Sequence, residues 1–160
     1  MNDYKKTFID FTLKNGILKF GNFTLKSERK SPYYFNTGIC SDGLSLNALT
    51  TYYVEAVIKN NIEFDFIFGP AYKGIPLSTS ISLHLLNEHK INKPYSFNRK
   101  EIKNHGDGGE VVGHKEGGKA LIVDDVISSG SSITESIELL KKHNSICQNI
   151  IVAFDRMEIG

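Results

Sequence analysis

Two adjacent carboxylates, Asp124 and Asp125, separate an apolar run from a turn of small residues in the segment LIVDDVISSGSSITES, residues 121–136. The turn, here called the serine turn, comprises residues 128–132, and a helical pattern begins within it. Backbone N–H groups of such a turn and the dipole of the following helix both favour an anion, so the order of residues predicts a phosphate site. The acids are expected beside it, either as acceptors for sugar hydroxyls or as negative charge facing a cationic centre or a metal.

A simpler interpretation of the same segment is a strand that ends in solvated acids, followed by a helix with a serine cap. Serine and aspartate are common helix caps, so a serine-rich turn alone would carry little weight. An acid pair that closes an apolar strand and runs directly into SSGSS favours the phosphate site. The segment has neither the Gly-Lys-Ser/Thr of a Walker A loop nor the GxGxxG of a dinucleotide turn.

A second candidate site is the segment Gly69-Pro-Ala-Tyr-Lys-Gly74, here called the glycine turn, where a predicted strand runs into a predicted helix. Lys73 would stand at the helix start, where the dipole disfavours a cation. The position therefore favours a bound anion, with an ordinary solvent-exposed lysine as the alternative.

The glycine-rich segment 99–118 is expected to be a flexible loop, because it carries charges throughout and few apolar residues. A loop of this length inside a compact domain is usually a functional lid or disordered. Its cationic and titratable residues favour a lid that closes over a polyanion and excludes water. These residues are Arg99, Lys100, Lys103 and His105.

The elements that must position these residues alternate between strand and helix. Apolar periodicity predicts helices over residues 3–15, 44–60, 75–89 and 131–143. Continuous apolar runs predict strands over residues 64–68, 94–98, 120–123 and 150–154. The fold class is therefore α/β, a central and mainly parallel sheet flanked by helices. Residues 1–40 add a small N-terminal subdomain, with a hairpin of two short strands around Gly21-Asn22 in residues 17–25 and an extended segment from Ser31 to Thr37.

Composition indicates one ordinary globular domain of 160 residues, with 40% hydrophobic and 23% charged residues. The net charge of +1 excludes a global field directed at nucleic acid or a membrane surface. Cys40 and Cys147 have no metal-like spacing, so we expect reduced thiols in the cytosol. No run resembles a signal peptide or a membrane span, and the expected location is cytoplasmic. No metal site made by the chain itself is predicted.

Four segments together resemble the type I phosphoribosyltransferase family, and within it the orotate enzymes. VDDVISSGSS resembles the phosphoribosyl-diphosphate motif, and FNRKEIKNHGDGGEVVG resembles the catalytic lid particular to the orotate enzymes. FTLKSERKSPYYFNTG and FGPAYKGIPL resemble the N-terminal and diphosphate-contact segments. The resemblance covers nearly the whole of a single domain, residues 1–160. The family's domain continues beyond the position that matches Gly160, so its C-terminal part is expected to be absent.

The resemblance implies a role for each matching residue. The catalytic residues would be Lys100, Lys103, His105, Asp124 and Asp125. Phosphoribosyl diphosphate would be bound by Lys26, Tyr72, Lys73, Arg99, Lys100, Lys103 and His105, with Asp124 and Asp125 at the ribose hydroxyls and Val126, Ile127, Ser128, Ser129, Gly130, Ser131 and Ser132 around the 5′-phosphate. Orotate would be received by Tyr34, Phe35, Ser128 and Arg156. Ser128 stands where these enzymes usually have threonine, and it keeps the hydroxyl.

The activity implied by the resemblance is the transfer of a phosphoribosyl group to orotate, giving orotidine 5′-monophosphate and diphosphate in pyrimidine biosynthesis. It further implies substrate-bound Mg²⁺ and a homodimer in which each lid serves the neighbouring subunit's site. Two alternatives remain: a non-catalytic regulatory domain that binds phosphoribosyl diphosphate, and a purine phosphoribosyltransferase. The lid cations argue against the first, and Arg156, which suits a carboxylate-bearing base, argues against the second.

Overall fold

The computed structural model describes residues 3–24, 28–103, 109–115 and 117–158, with the backbone alone for Ile102 and Lys103. The predicted helices are confirmed: α1 to α4 span Asp3–Lys14, Gly43–Lys59, Gly74–His89 and Ser131–Lys142. A 3₁₀ turn, Thr37–Ile39, precedes α2. Each helix found in the described residues is too short or too polar to cross a membrane.

Seven strands are present in the described parts of the chain. They span Leu18–Thr24 (β1), Lys30–Phe35 (β2), Phe66–Phe68 (β3), Tyr95–Lys103 (β4), Gly109–Gly113 (β5), Gly118–Ile127 (β6) and Ser145–Asp155 (β7). Strands β3 to β7 form one sheet in the order β5-β4-β3-β6-β7, in which β4, β3, β6 and β7 are parallel and β5 is antiparallel to β4. The predicted fold class, a mainly parallel sheet flanked by helices, is confirmed.

Alternation along the central strands gives the sheet two apolar faces. Ile67, Leu121 and Val123 pack against α2 and α3 on one face. Phe66 and Phe68, with their neighbours on β6, pack against α4 on the other. The short strands are continuous apolar runs because both of their faces are covered.

The N-terminal hairpin differs from the prediction. Residues 18–24 form a single strand, and its partner is β2 rather than a second strand within residues 17–25. Gly21 and Asn22 lie at an irregularity in the pairing, where the register shifts between Phe20 and Phe23. Glycine and asparagine are common both in β-bulges and in hairpin turns, so the prediction placed a turn where the strand has an irregularity.

Two further predictions are corrected by the sheet. The segment 99–118 is not a continuous loop: residues 99–103 extend β4 and residues 109–113 form β5, so much of the predicted lid is a β-hairpin. Strand β6 does not end at residue 123 but continues to Ile127, and Asp124 and Asp125 lie inside it. Pairing with β7 extends the ladder past the acids, with Asp124 opposite Val152.

Candidate functional site

The candidate site lies where the strand order of the parallel sheet reverses. From β3 the chain crosses through α3 to β4 on one side, and from β6 it crosses through α4 to β7 on the other. In open α/β sheets a crevice forms at the carboxyl ends of the strands at such a point, and ligands bind there. The glycine turn follows β3 and the serine turn follows β6, so the fold brings both predicted sites to this crevice.

Asp124 is a buried acid whose carboxylate faces the start of α4. Its residue is 8% exposed. Its Oδ1 accepts from the Asp125 N–H at 2.8 Å, and its Oδ2 accepts from the Ser132 hydroxyl at 3.4 Å. Burial raises the pKa of the Asp124 carboxyl to about 6; the charge of Asp125 acts in the same direction, and the hydrogen bonds from the Asp125 N–H and the Ser132 hydroxyl act against it. The Tyr53 hydroxyl fixes the strand beneath by donating to the Asp124 carbonyl at 2.8 Å.

The raised pKa of Asp124 predicts that this acid destabilises the fold when it is charged. The pKa of this carboxyl is about 6 in the folded state and 3.8 ordinarily. Its contribution to the free energy of unfolding is therefore fully present below pH 3.8 and is lost as pH rises through about 6. Asp124→Asn should therefore increase the free energy of unfolding above pH 6 by roughly 3 kcal/mol, and the gain should shrink toward pH 4. Urea unfolding at the two pH values measures this difference.

The matched control is Asp65→Asn, which removes an exposed carboxylate that accepts from the Lys119 N–H at 2.7 Å. A variant of Asp124 whose stability gain is independent of pH, or absent, would contradict the assignment of a buried charge at this position.

Asp125 points to the opposite face of the strand from Asp124, as alternation requires. Its residue is 6% exposed. The Asp125 Oδ2 atom accepts from the Lys73 ammonium at 2.7 Å and from the Thr37 hydroxyl at 2.9 Å, and Oδ1 accepts from the Val126 N–H at 2.9 Å. Asp125 therefore joins the glycine turn, the 3₁₀ turn and β6 at one carboxylate.

The serine turn has the features of an anion site. Gly130 adopts φ +82° at the N-cap of α4, and no side chain of the described residues caps this helix. Space around the Gly130 Cα is open, with no heavy atom within 4 Å of the position a Cβ would take. Ser128, Ser129, Ser131 and Ser132 are exposed. The first N–H groups of α4 therefore have no side-chain cap among the described residues and lie beside exposed serine hydroxyls and Asp124.

The glycine turn is held by a close backbone approach and by a hydrogen bond from the neighbouring strand. Gly69 and Gly74 approach each other so closely that a Cβ on either would overlap the backbone of the other. The Asn98 Oδ1 of β4 accepts from the Ala71 N–H at 2.7 Å, and the peptide bond that follows Ala71 is cis. Tyr72 is 72% exposed and lies at the surface of the turn.

Lys73 already has an anionic partner within the chain, whereas the sequence suggested a cation that pairs only with a bound ligand. Its side chain is half exposed, and its ammonium pairs with Asp125 at 2.7 Å. The ion pair by itself accounts for a cation at the start of α3, so the dipole argument no longer requires a bound anion there. A half-exposed pair of this kind can open when a stronger anion arrives.

The predicted lid residues are only partly described. Arg99 and Lys100 lie on β4; Lys100 is exposed, whereas Arg99 is partly buried and its Nε finds no partner among the described residues. Lys103 pairs through its backbone with Gly109 at the end of the β4–β5 hairpin. His105 and Lys26 lie outside the described residues.

The residues predicted to receive orotate have different surroundings. Tyr34 is 41% exposed, but the ring of Phe35 is buried and stacks on Phe154 with centroids 4.8 Å apart. Only the backbone of Phe35 is therefore able to meet a ligand. Ser128 is exposed at the turn.

Arg156 is held by neighbours that the sequence motifs did not reveal. Its Nε donates to Glu158 at 2.7 Å, its guanidinium lies 4.9 Å from the centre of the Tyr33 ring, and its terminal nitrogen is 3.4 Å from the Ser31 hydroxyl. Arg29 also pairs with Glu158, at 2.6 Å. Stacking and the Glu158 carboxylate orient the guanidinium, as recognition of a planar anion requires.

Thr37, Asn98 and Glu158 are the residues that sequence reasoning did not assign to the site. Thr37 and Asn98 act through tertiary contacts that nothing in their local sequence indicates, whereas Glu158 contacts Arg156 two residues away. Thr37 meets Asp125 across 88 positions of sequence, and Asn98 meets Ala71 across 27.

Comparison with known proteins gives consistent matches. A family model of the phosphoribosyl transferase domain matches residues 44–159. The orotate phosphoribosyltransferase of Vibrio cholerae is 49% identical over 160 residues, which are 100% of this chain and 75% of that protein. The orotate phosphoribosyltransferase of Shigella sonnei is 47% identical with the same coverage. The crystal structure of the Francisella tularensis orotate phosphoribosyltransferase superposes with a TM-score of 0.80 at 44% identity, covering 91% of this chain and 69% of that one.

Proposed function

The chain belongs to the orotate phosphoribosyltransferase family, and we propose that it transfers the phosphoribosyl group of 5-phosphoribosyl 1-diphosphate to orotate at the crevice between the serine and glycine turns. The predicted family, activity and enzyme class are confirmed by two relatives that match the chain over its whole length and by a solved structure that covers 91% of it. The observation that supports this location for the site is an open helix N-terminus, without a side-chain cap in the described residues, next to two buried acids.

The substrate is proposed to bind with its 5′-phosphate in residues 126–132 and its ribose hydroxyls at Asp124 and Asp125. Both acids are ionised in this state, so that each accepts a hydrogen bond from a hydroxyl. The raised pKa of Asp124 then predicts weaker substrate binding below about pH 6, where its carboxyl is protonated. The diphosphate lies toward the glycine turn, where Lys73 leaves Asp125 to meet it.

In the reaction, the bond between ribose C1 and the diphosphate oxygen breaks, and a bond forms between C1 and a ring nitrogen of orotate. That nitrogen gives up its proton, which ends on the diphosphate or in solvent. The diphosphate leaves with the bonding electron pair, and C1 gains oxocarbenium character, as in glycoside chemistry. The carboxylates of Asp124 and Asp125 favour positive charge on the ring. Lys73, Lys100 and Lys103 stabilise the negative charge that builds on the diphosphate, and His105 is assigned a hydrogen bond or proton to it.

The orotate ring is proposed to lie near Tyr34 and Ser128, with its carboxylate on Arg156. Glu158 and Tyr33 fix the plane of the guanidinium, which can then present two parallel N–H donors to a carboxylate. A purine has no carboxylate, so Arg156 supports orotate as the base.

Magnesium is proposed as a companion of the substrate. The described residues contain no group of three or more His, Cys, Asp or Glu arranged to hold a metal. An ion held mainly by diphosphate oxygens and waters, as Mg²⁺ commonly is, needs no such group of side chains. When bound, it would neutralise charge on the leaving diphosphate.

A homodimer with shared sites is also proposed, on the family resemblance of the lid. The β4–β5 hairpin forms one edge of the sheet, and Lys103 lies at its end. Such a projection can reach a second subunit in a symmetric dimer.

A base-selection assay tests the proposed function. The chain is incubated with phosphoribosyl diphosphate, Mg²⁺ and either orotate or adenine, and consumption of each base is followed by chromatography. We expect orotate to be consumed only when phosphoribosyl diphosphate is present, and adenine to remain.

Consumption of adenine alone would replace the proposal with a purine transferase. A folded chain that binds phosphoribosyl diphosphate in calorimetry but consumes neither base would indicate the regulatory domain instead. Circular dichroism of the same preparation confirms that the chain is folded.

A further inference from the structure

Thr37 makes a buried contact with the Asp125 carboxylate that the family motifs do not assign. The residue is 7% exposed, and its hydroxyl donates to the Asp125 Oδ2 at 2.9 Å. The same oxygen accepts from the Lys73 ammonium at 2.7 Å. One oxygen of Asp125 therefore has a neutral donor from the N-terminal part of the chain and a charged donor from the glycine turn.

The backbone around Thr37 is rigid enough to aim this hydroxyl. Asn36 caps the 3₁₀ turn, its Oδ1 accepting from the Gly38 N–H at 2.9 Å. The Asn36 N–H donates to the Ile17 carbonyl at 2.9 Å, and the Cys40 N–H donates to the Thr37 carbonyl at 2.9 Å. Hydrogen bonds on both sides of Thr37 thus hold the turn together and fix it to Ile17, the residue that precedes β1.

The two donors to Asp125 differ in whether they can leave it during the reaction. Lys73 is half exposed and carries a charge that a diphosphate attracts, whereas Thr37 is buried and neutral. When Lys73 leaves, Asp125 would lose its only charged partner among the described residues. A buried carboxylate without a side-chain donor is costly and free to change rotamer, and the Thr37 hydroxyl prevents both.

We propose that Thr37 is a positioning residue, which holds the Asp125 carboxylate in place for the ribose while Lys73 moves from that carboxylate to the diphosphate. The inference rests on the proposed function, because it assigns the ribose to Asp125. It adds a neutral donor from the N-terminal subdomain, the Thr37 hydroxyl, to the groups that hold Asp125.

Three variants test this role. Thr37→Val replaces the hydroxyl with a methyl group of similar size, and Thr37→Ser keeps the hydroxyl. Thr50→Val is the matched control, because Thr50 is also buried, and its hydroxyl contacts Ser80 at 3.1 Å and the Leu46 carbonyl at 3.0 Å, away from the acids.

For Thr37→Val we expect the KM for phosphoribosyl diphosphate to rise about tenfold, the scale of one hydrogen bond to a charged group. The KM for orotate should stay within about a factor of two, since the hydroxyl faces the ribose acid and not the base. Thr37→Ser should restore the KM for phosphoribosyl diphosphate, and Thr50→Val should leave both KM values unchanged.

An unchanged KM for phosphoribosyl diphosphate in Thr37→Val would overturn the proposal. A loss of kcat alone, equal to that of Thr50→Val, would also overturn it, because a merely structural role reduces the active fraction without a selective effect on one substrate. If Thr37→Val does not fold, as judged by thermal unfolding, Thr37→Ala takes its place.

The dissociation constant for phosphoribosyl diphosphate, measured by calorimetry, separates this inference from the proposed function. A wild-type chain that does not consume orotate would refute the proposed function only. A tenfold weaker affinity of Thr37→Val would still support the positioning of Asp125, and an equal affinity would still refute it.

Discussion

Asp125→Asn is expected to lower kcat/KM for phosphoribosyl diphosphate by about two to three orders of magnitude, the scale seen when one electrostatic contact in a transition state is removed. Asparagine has nearly the same shape but only one accepting oxygen and no charge. It can no longer accept from Lys73, Thr37 and the Val126 N–H in the observed arrangement, because its amide nitrogen is itself a donor. It also removes negative charge from beside the ribose as C1 becomes cationic.

Steady-state kinetics with phosphoribosyl diphosphate as the varied substrate measures this loss. Asp65→Asn provides the control, since it makes the same chemical change at an exposed carboxylate. Asp65 precedes the first residue of β3, whereas the site lies at the carboxyl ends of the strands. Near-normal kcat/KM in a folded Asp125→Asn chain would refute the assignment of Asp125 to the ribose. A kcat that falls while the KM is unchanged would place the contact in the transition state only.

Asp124 and Asp125 illustrate how neighbouring residues can have separate tasks. Strand alternation directs Asp124 toward the serine turn and Asp125 toward the glycine turn. The cost of burial falls on Asp124, whose pKa is about 6, while Asp125 has a cation and a hydroxyl as partners. The two variants are therefore expected to differ: Asp124→Asn should stabilise the fold above pH 6, and Asp125→Asn leaves Lys73 without its partner.

Much of the fold could be predicted because its signals are local. A few turns of apolar periodicity are enough to recognise each of the four helices, and a short continuous apolar run is enough to recognise strands β3 and β6. The serine turn is equally local, since its acids, small residues and helix start are adjacent in sequence. The order of these elements then determines the switch point at which the site must lie.

The failures all involve partners that lie outside the segment on which each prediction was based. Gly21 and Asn22 could form a turn or a bulge, and the choice depends on β2. The polar residues 99–103 continue a strand in which residues 96–98 pair with 111–113 and Lys103 pairs with Gly109, and their composition does not reveal this pairing. The Lys73–Asp125 ion pair spans 52 positions of sequence, so the sequence suggested a cation without a partner.

The β4–β5 hairpin changes what kind of motion a lid would need. A wholly flexible loop would have to become ordered over 20 residues when substrate binds, whereas here strands already order its two sides. Fewer residues lose conformational freedom on closure, so less of the binding free energy opposes it. Of the lid residues with catalytic assignments, Lys100 lies within β4, and Lys103 and His105 lie at or beyond its end.

Lys103→Ala is expected to lower kcat by about two orders of magnitude or more, because it removes a cation from the developing charge on the diphosphate. The KM values should change less, since the contact is assigned to the closed state in which the bond breaks. Lys119→Ala is the matched control: Lys119 is exposed and lies at the start of β6, away from the carboxyl ends of the strands. Near-normal turnover of Lys103→Ala would refute the catalytic role of the hairpin.

Mixing this variant with Asp125→Asn tests whether the hairpin acts on the neighbouring subunit. If each site takes Asp125 from one chain and Lys103 from the other, a mixed dimer has one intact site and one doubly altered site. Random reassembly of the two nearly inactive chains should then restore about a quarter of the wild-type activity, since half of the dimers are mixed and each has one working site. No recovery in a confirmed mixed dimer would mean that Lys103 serves the site of its own chain.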